Sequence, residues 1–117
     1  MAVANESRRS VLKNSLLMGG ALGGFKVIDL GQAVSAPWCA RLFADQGADV
    51  IKVEPPRTGD VARQWGPFPG DVPDPEKSGL YFFLNTGKRG VTLDWARPAG
   101  RELLLELAGR ADVLIDN

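Results

Sequence analysis

"GADVIKVEPPRTGD", Gly47 to Asp60, decides how the rest of the chain is read. A short apolar run with a β-branched centre, Val50 to Val53, opens after a glycine and ends on Glu54, where Pro55-Pro56 stops any strand. Upstream, "FKVIDL" (Phe25 to Leu30) is a second run of the same kind, closed by Gly31 and short enough to be a strand buried on both faces. Between them, "APWCARLFADQGA" has Pro37 in its first turn, Trp38, Leu42 and Phe43 spaced for one apolar face, and Gly47 as a stop, which predicts a short helix. Strand, helix and strand in some thirty residues make a βαβ unit, whose strands pair in parallel through a right-handed crossover.

The pattern recurs downstream. "GVTLDW" (Gly90 to Trp95) predicts a strand, "RPAGRELLLELAGRA" a helix opened by Pro98 with Leu103, Leu104 and Leu107 on its apolar face, and "DVLIDN" a last strand. The intervening Pro55 to Gly79 holds six of the eight prolines, and predicts an irregular segment that covers the sheet edge or a ligand. After it, "SGLYFFLN" (Ser78 to Asn85) predicts a short aromatic helix or strand that packs into the core. The fold class is therefore α/β, a parallel sheet with flanking helices. The last strand reaches Asn117 with no helix to cover it, so an incomplete sheet, the front of a larger domain, is expected.

Composition limits the chemistry. With 44% hydrophobic and 24% charged residues the chain is ordinary globular protein, and 14 basic against 14 acidic residues leave no overall field for nucleic acid or an anionic membrane. One cysteine, Cys39, excludes an internal disulfide and reads as a small buried hydrophobe. The absence of histidine removes Ser-His-Asp and Cys-His nucleophiles and imidazole metal sites, leaving carboxylate, Lys or Tyr chemistry. No run is long enough to span a membrane. Residues 1–20 read as a leader: "SRRSVLK" followed by "LLMGGALGG" resembles a twin-arginine export signal, but no small-x-small cleavage site precedes Phe25, and a cytoplasmic protein is the simpler expectation. Residues 21–117 form the domain.

In parallel α/β sheets, ligands bind outside the carboxyl ends of the strands. That rule selects Gly31 to Pro37, Pro55 to Asp60, Asp94 to Pro98 and Asn117. The first turn, "GQAVSAP", lacks the second and third glycines of a dinucleotide fingerprint, which disfavours nicotinamide and flavin. "NTGKRG" fails as a phosphate loop, because Arg89 stands where Ser or Thr would hold magnesium. Glu54 is either an acid-base group or, more simply, an acceptor for amides of the turn it precedes. Arg57, Arg63, Lys88 and Arg89 are each a solvated charge alone and a phosphate site together.

Taken in order, "KVIDLGQAVSAP", "FADQGADVIKVEPPRTGD", "NTGKRGVTLD" and "ADVLIDN" resemble the class III CoA-transferases, the CaiB/BaiF family, which includes formyl-CoA and carnitine-CoA transferases and the related α-methylacyl-CoA racemases. The resemblance runs from about Ala21 to Asn117. It implies a Rossmann-like CoA-binding domain, an interlocked homodimer in full-length members, acyl-CoA and a carboxylic acid as substrates, and no metal or redox cofactor. It also implies transfer through an aspartyl-CoA thioester whose nucleophilic Asp lies beyond Asn117, so no catalytic residue falls in this chain. By position, the family's CoA contacts fall on Val34 and Ser35, on Leu93, Asp94, Trp95 and Ala96, and on Asn117. Where formyl-CoA members place an arginine after the strand-two glutamate this chain has Pro55, leaving Arg57 as the nearest phosphate partner. Val34 replaces their glutamine, which implies a different acyl specificity. A racemase or epimerase of the same fold, and a non-catalytic remnant, are the alternatives.

Overall fold

The structure, a computed structural model, describes residues 20–117; the expected leader lies, but for Gly20, outside the described residues. Four strands form one parallel sheet: β1 (Lys26–Asp29), β2 (Asp49–Glu54), β3 (Arg89–Thr92) and β4 (Val113–Ile115), in the spatial order β3-β2-β1-β4. Three helices alternate with them: α1 (Ser35–Asp45), α2 (Gly79–Asn85) and α3 (Pro98–Gly109). The predicted strands exist, and each except β2 is shorter than its apolar run. β3 ends at Thr92 instead of Trp95 because Asp94 turns the chain, its carboxylate accepting from the Ala96 amide.

The register sorts the side chains onto two faces. Val27, Val50 and Val113 are paired neighbours on the face under α1, and Ile28, Ile51 and Leu114 are neighbours on the other. On the first face Val27, Val50, Ala40 and Ala48 form a core, flanked by Phe25, Phe43 and Ile115. α1 meets that core through Ala36, Ala40, Phe43 and Ala44, small residues at helical spacing that let the helix lie close to the sheet. The expected stripe of Trp38 and Leu42 instead points outward, and Cys39 is exposed with it. The alanines, not the largest apolar residues, define the buried face.

On the opposite face α3 shares a cavity of roughly 160 Å³ with the sheet, lined by Ile28, Ile51, Leu107 and Ala111. Leu104 and Leu107 turn toward the sheet side, whereas Leu103, predicted with them, is exposed, as is Leu105. Gly100, in the first turn of α3, is buried directly against the Asp94 turn.

The proline-rich segment is irregular, as expected, with two short 3₁₀ turns at Val61–Gln64 and Pro69–Asp71. One side chain ties it to the sheet. Glu54, at the end of β2, accepts from the Asp60 amide at 2.7 Å and from Arg63 through both carboxylate oxygens, at 2.7 and 2.9 Å, and it also accepts from the Tyr81 hydroxyl. The Arg63 guanidinium lies over the Tyr81 ring, 3.8 Å from its centre. The structural reading of Glu54 holds, with Arg63 and Tyr81 as added partners. Tyr81 therefore serves the network, while Phe82 and Phe83 are exposed against the expected core packing and only Leu84 of α2 is buried.

Burial alone would raise the Glu54 carboxyl, but the hydrogen bonds from Arg63, Tyr81 and the Asp60 amide outweigh it and draw its pKa to about 2 from 4.5. A depressed folded-state value gives stability that is present above the unfolded pKa and lost as pH falls through the folded one. Stability is expected to decline between about pH 4.5 and about 2, and Glu54→Gln is expected to flatten that limb in pH-dependent thermal melts. A second expectation concerns Gly100. Ala ordinarily stabilises a helix interior relative to Gly by about 1 kcal/mol, but a Cβ here would sit 1.9 Å from the Asp94 carbonyl oxygen. Gly100→Ala is expected to destabilise by about 1–3 kcal/mol, read as a lowered melting midpoint; an unchanged or raised midpoint would show that α3 is not seated on the turn.

Candidate functional site at the strand switch point

β1 is followed on one side by β2 and on the other by β4, so the chain reverses its direction of winding between β1 and β4. At such a point the two following turns leave in opposite directions and open a crevice at the carboxyl ends of the strands. Here the crevice measures roughly 410 Å³ and is lined by Leu30, Gln32, Ala33, Trp95, Asp116 and Asn117. It brings together two predicted residues from distant parts of the sequence, Trp95 and Asn117.

Asn117 closes one side. Its amide oxygen accepts from the Gln32 N–H at 2.9 Å, and its Nδ2 donates to the Gln32 carbonyl at 3.2 Å and to the Ser35 hydroxyl at 3.1 Å. Ser35 is thus held by Asn117 at the start of α1, and Val34 beside it is exposed. Leu93 and Asp94 are partly exposed on the turn after β3, and Ala96 is exposed. Asp94 is engaged in its own turn and pairs with Arg97 at 3.2 Å.

Beneath the crevice lies a buried ionic cluster. Asp29 and Asp60 are fully buried, and the Lys52 and Lys88 side chains nearly so. Lys52 reaches Asp60 at 2.6 Å and donates to the Gly31 carbonyl; Lys88 reaches Asp29 at 2.8 Å, the Pro37 carbonyl at 2.7 Å and Asn85 at 2.8 Å. Two ammoniums meet two carboxylates, so the cluster is neutral. That balance is what makes burial of four charges tolerable, and removing any one would leave an uncompensated charge at a cost of about 3–5 kcal/mol. Burial lowers the Lys88 pKa, and Asp29 only partly offsets it.

The cluster also occupies the turn above it. Gly31 N–H donates to Asp29 at 3.0 Å, Gln32 N–H to Asn117, and Ala33 N–H to Asp60 at 2.9 Å. All three amides are engaged by side chains, two of them by carboxylates. A phosphate cannot take these donors, which agrees with the missing glycine fingerprint: this turn offers shape and apolar contact instead of an anion nest. A cation for a phosphate must come from elsewhere.

Of the four candidate cations, one is available. Arg57 is exposed, sits at φ 68° in the turn after β2, and has no carboxylate in ion-pair range among the described residues. It lines an open cleft with Glu54, Thr58, Gly59, Arg63, Glu76 and Thr92. Arg63 is committed to Glu54, and Lys88 is buried on Asp29. Arg89 forms a two-bond pair with Asp49 at 2.9 and 2.6 Å, at the amino ends of the strands, away from the turns at their carboxyl ends. The expectation that these three meet phosphates is corrected. Arg89 opens β3 and so belongs to the wrong end of the sheet, whereas Lys88, just before it, carries its ammonium to Asp29 and is consumed there.

Sequence reading missed the cluster, although its signal was present: a lysine inside a buried strand, "VIKVE", and an aspartate ending another, "KVID", are unaffordable unless paired. Among the described residues no group of His, Cys, Asp or Glu is placed to hold a metal ion, and no helix is long and apolar enough to cross a membrane.

The chain is similar in sequence and fold to known proteins. The chain is 43% identical over 98 residues to the succinyl-CoA:mesaconate CoA-transferase of Haloarcula hispanica, covering 84% of this chain and 24% of that protein. It is 44% identical over 102 residues to the formyl-CoA:oxalate CoA-transferase of a Bradyrhizobium species, covering 86% and 23%. A CAIB/BAIF family protein from Brucella suis superposes with a TM-score of 0.73 at 38% identity, over 85% of this chain and 26% of that one. The chain thus spans about a quarter of the length of these relatives. Residues 22–117 match the family model described as CoA-transferase family III, and the chain belongs to that family.

Proposed function

We propose that these residues form the nucleotide-facing part of the CoA site in an enzyme that moves CoA between an acyl-CoA and a carboxylic acid. The observation that carries the reading is the crevice between β1 and β4, where Asn117, Ser35 and Trp95 converge although they lie more than 80 residues apart at the extremes. Val34 and Ser35 would contact the ligand from the start of α1, Leu93 to Ala96 from the turn after β3, and Asn117 from beyond β4. Arg57 would meet a phosphate. The relatives described above are named for transfer between small acids, which favours transfer over racemisation and a small acyl group over a bulky one.

The chemistry that fits is nucleophilic. An aspartate carboxylate attacks the acyl-CoA carbonyl and expels CoA thiolate, which attacks the aspartyl carbonyl of the mixed anhydride, releasing the donor acid and leaving an aspartyl-CoA thioester. The acceptor carboxylate attacks that thioester, and the CoA thiolate it expels opens the new anhydride at the acceptor carbonyl, giving the new acyl-CoA and the free aspartate. No histidine or metal is required at any of these steps. The nucleophilic Asp belongs, in this reading, to a part of the enzyme outside these 117 residues, and the present segment supplies binding and orientation. A CoA substrate would place the reaction in the cytoplasm.

The test is calorimetric titration of CoA into the chain and its Arg57→Ala variant. A charge-assisted contact is expected to contribute about 1–3 kcal/mol, so the variant should bind roughly 5- to 150-fold more weakly and with a shallower dependence on salt. Equal affinity and equal salt dependence would remove Arg57 from the site. Absence of CoA binding by the unsubstituted chain would remove the CoA reading from this segment.

A further inference from the structure

We propose that Asp60, braced by Lys52, is a positioning residue that sets the shape of the ligand-facing turn Gly31–Ala33. Asp60 stands on the far side of the β2 turn, 27 residues from Ala33, yet its Oδ1 accepts from both the Ala33 and the Ala62 amides, at 2.9 and 2.8 Å. Its Oδ2 faces Lys52, which in turn donates to the Gly31 carbonyl. Ala33 lies at φ 60°, in the left-handed region that a residue with a Cβ enters only when its surroundings hold it there. Neither neighbour in sequence supplies that hold. Asp60 does so from one side, and Asn117 holds the adjacent Gln32 from the other.

The consequence is a mechanical link between two turns that the strand-end rule treats as separate. The turn bearing Arg57 ends at Asp60, and Asp60 grips the turn that lines the crevice. The Asp60 amide is itself held by Glu54 at 2.7 Å, so the link is anchored to the end of β2. Any ligand that touches both the crevice and Arg57 therefore meets surfaces whose spacing this carboxylate fixes. The part of the inference that concerns a ligand rests on the CoA reading above; the part that concerns the turn does not.

The experiment pairs amide hydrogen exchange with CoA titration on the unsubstituted chain, Asp60→Asn and Asp60→Ala. Asn keeps an oxygen for the Ala33 amide, whereas Ala has none. Both variants leave Lys52 without its carboxylate and so speed exchange through the core, at Val27 and Val50, to a similar extent. Beyond that shared effect, Ala33 is expected to exchange roughly tenfold faster in Asp60→Ala than in Asp60→Asn, the equivalent of one lost hydrogen bond. CoA affinity should be lower in Asp60→Ala than in Asp60→Asn by a similar factor. Equal exchange at Ala33 in Asp60→Ala and Asp60→Asn, or equal CoA affinity in the two, overturns the assignment. If the unsubstituted chain binds no CoA, the ligand reading fails on its own, and the exchange data still decide whether Asp60 holds the turn.

Discussion

Four charges buried under the carboxyl edge of the sheet organise this domain. Asp29 at the end of β1 and Lys52 inside β2 are register partners on the α1 face. Asp60 and Lys88 arrive from two different connections to complete the set. Because each member is nearly removed from water, each must find its partner in one geometry, and the folds of the adjoining segments follow from that demand. Lys88 carries the end of α2 against α1 through Asn85 and the Pro37 carbonyl. Lys52 and Asp60 fix the turn after β1. A hydrophobic core of this size, built around valines and alanines, would tolerate some sliding of helices over the sheet; the charged cluster does not.

The same cluster explains why the site departs from the familiar phosphate-binding form of its topology. In dinucleotide folds the first turn leaves its amides open for a pyrophosphate. In this chain carboxylates and an amide side chain have taken them. What remains at the crevice is a shaped wall with Trp95 at one side, and the positive charge has moved one strand outward, to Arg57. The glycine pattern is missing because close backbone approach to an anion is not what this turn does.

Much of the architecture was legible in the sequence. The strand at Asp49–Glu54 matched its apolar run and breaker residues at both ends, and the recurrence of strand, helix and strand gave the parallel sheet. The turns at the carboxyl ends of the strands followed from the order of the elements. What was not legible were the facings. Trp38 and Leu42 have the right spacing for a buried stripe, but a helix lying close to a sheet admits alanine there and pushes bulk outward. Arg89 looked like a loop cation because nothing local shows which end of a strand a residue occupies; only the pairing with Ile51 does, and the burial of Lys88 depends on Asp29, 59 residues away. Lys52 and Asp60 lie eight residues apart, and their partnership depends on a turn whose path periodicity does not describe.

β4 lies beside β1, yet the bonds that join them, Lys26 to Asp112 and Gln32 to Asn117, close loops of 86 and 85 residues. The β1-α1-β2 unit, by contrast, is local, with strands whose paired residues are 23 positions apart from Lys26 to Asp49. Loop-closure entropy grows with the length of chain enclosed, so the local unit is expected to assemble ahead of the contact with β4. On that order the Asn117 clamp is expected among the last contacts to form, and the crevice with it. Until then the three amides of the first turn lack one of their partners, and a half-folded molecule has no finished crevice.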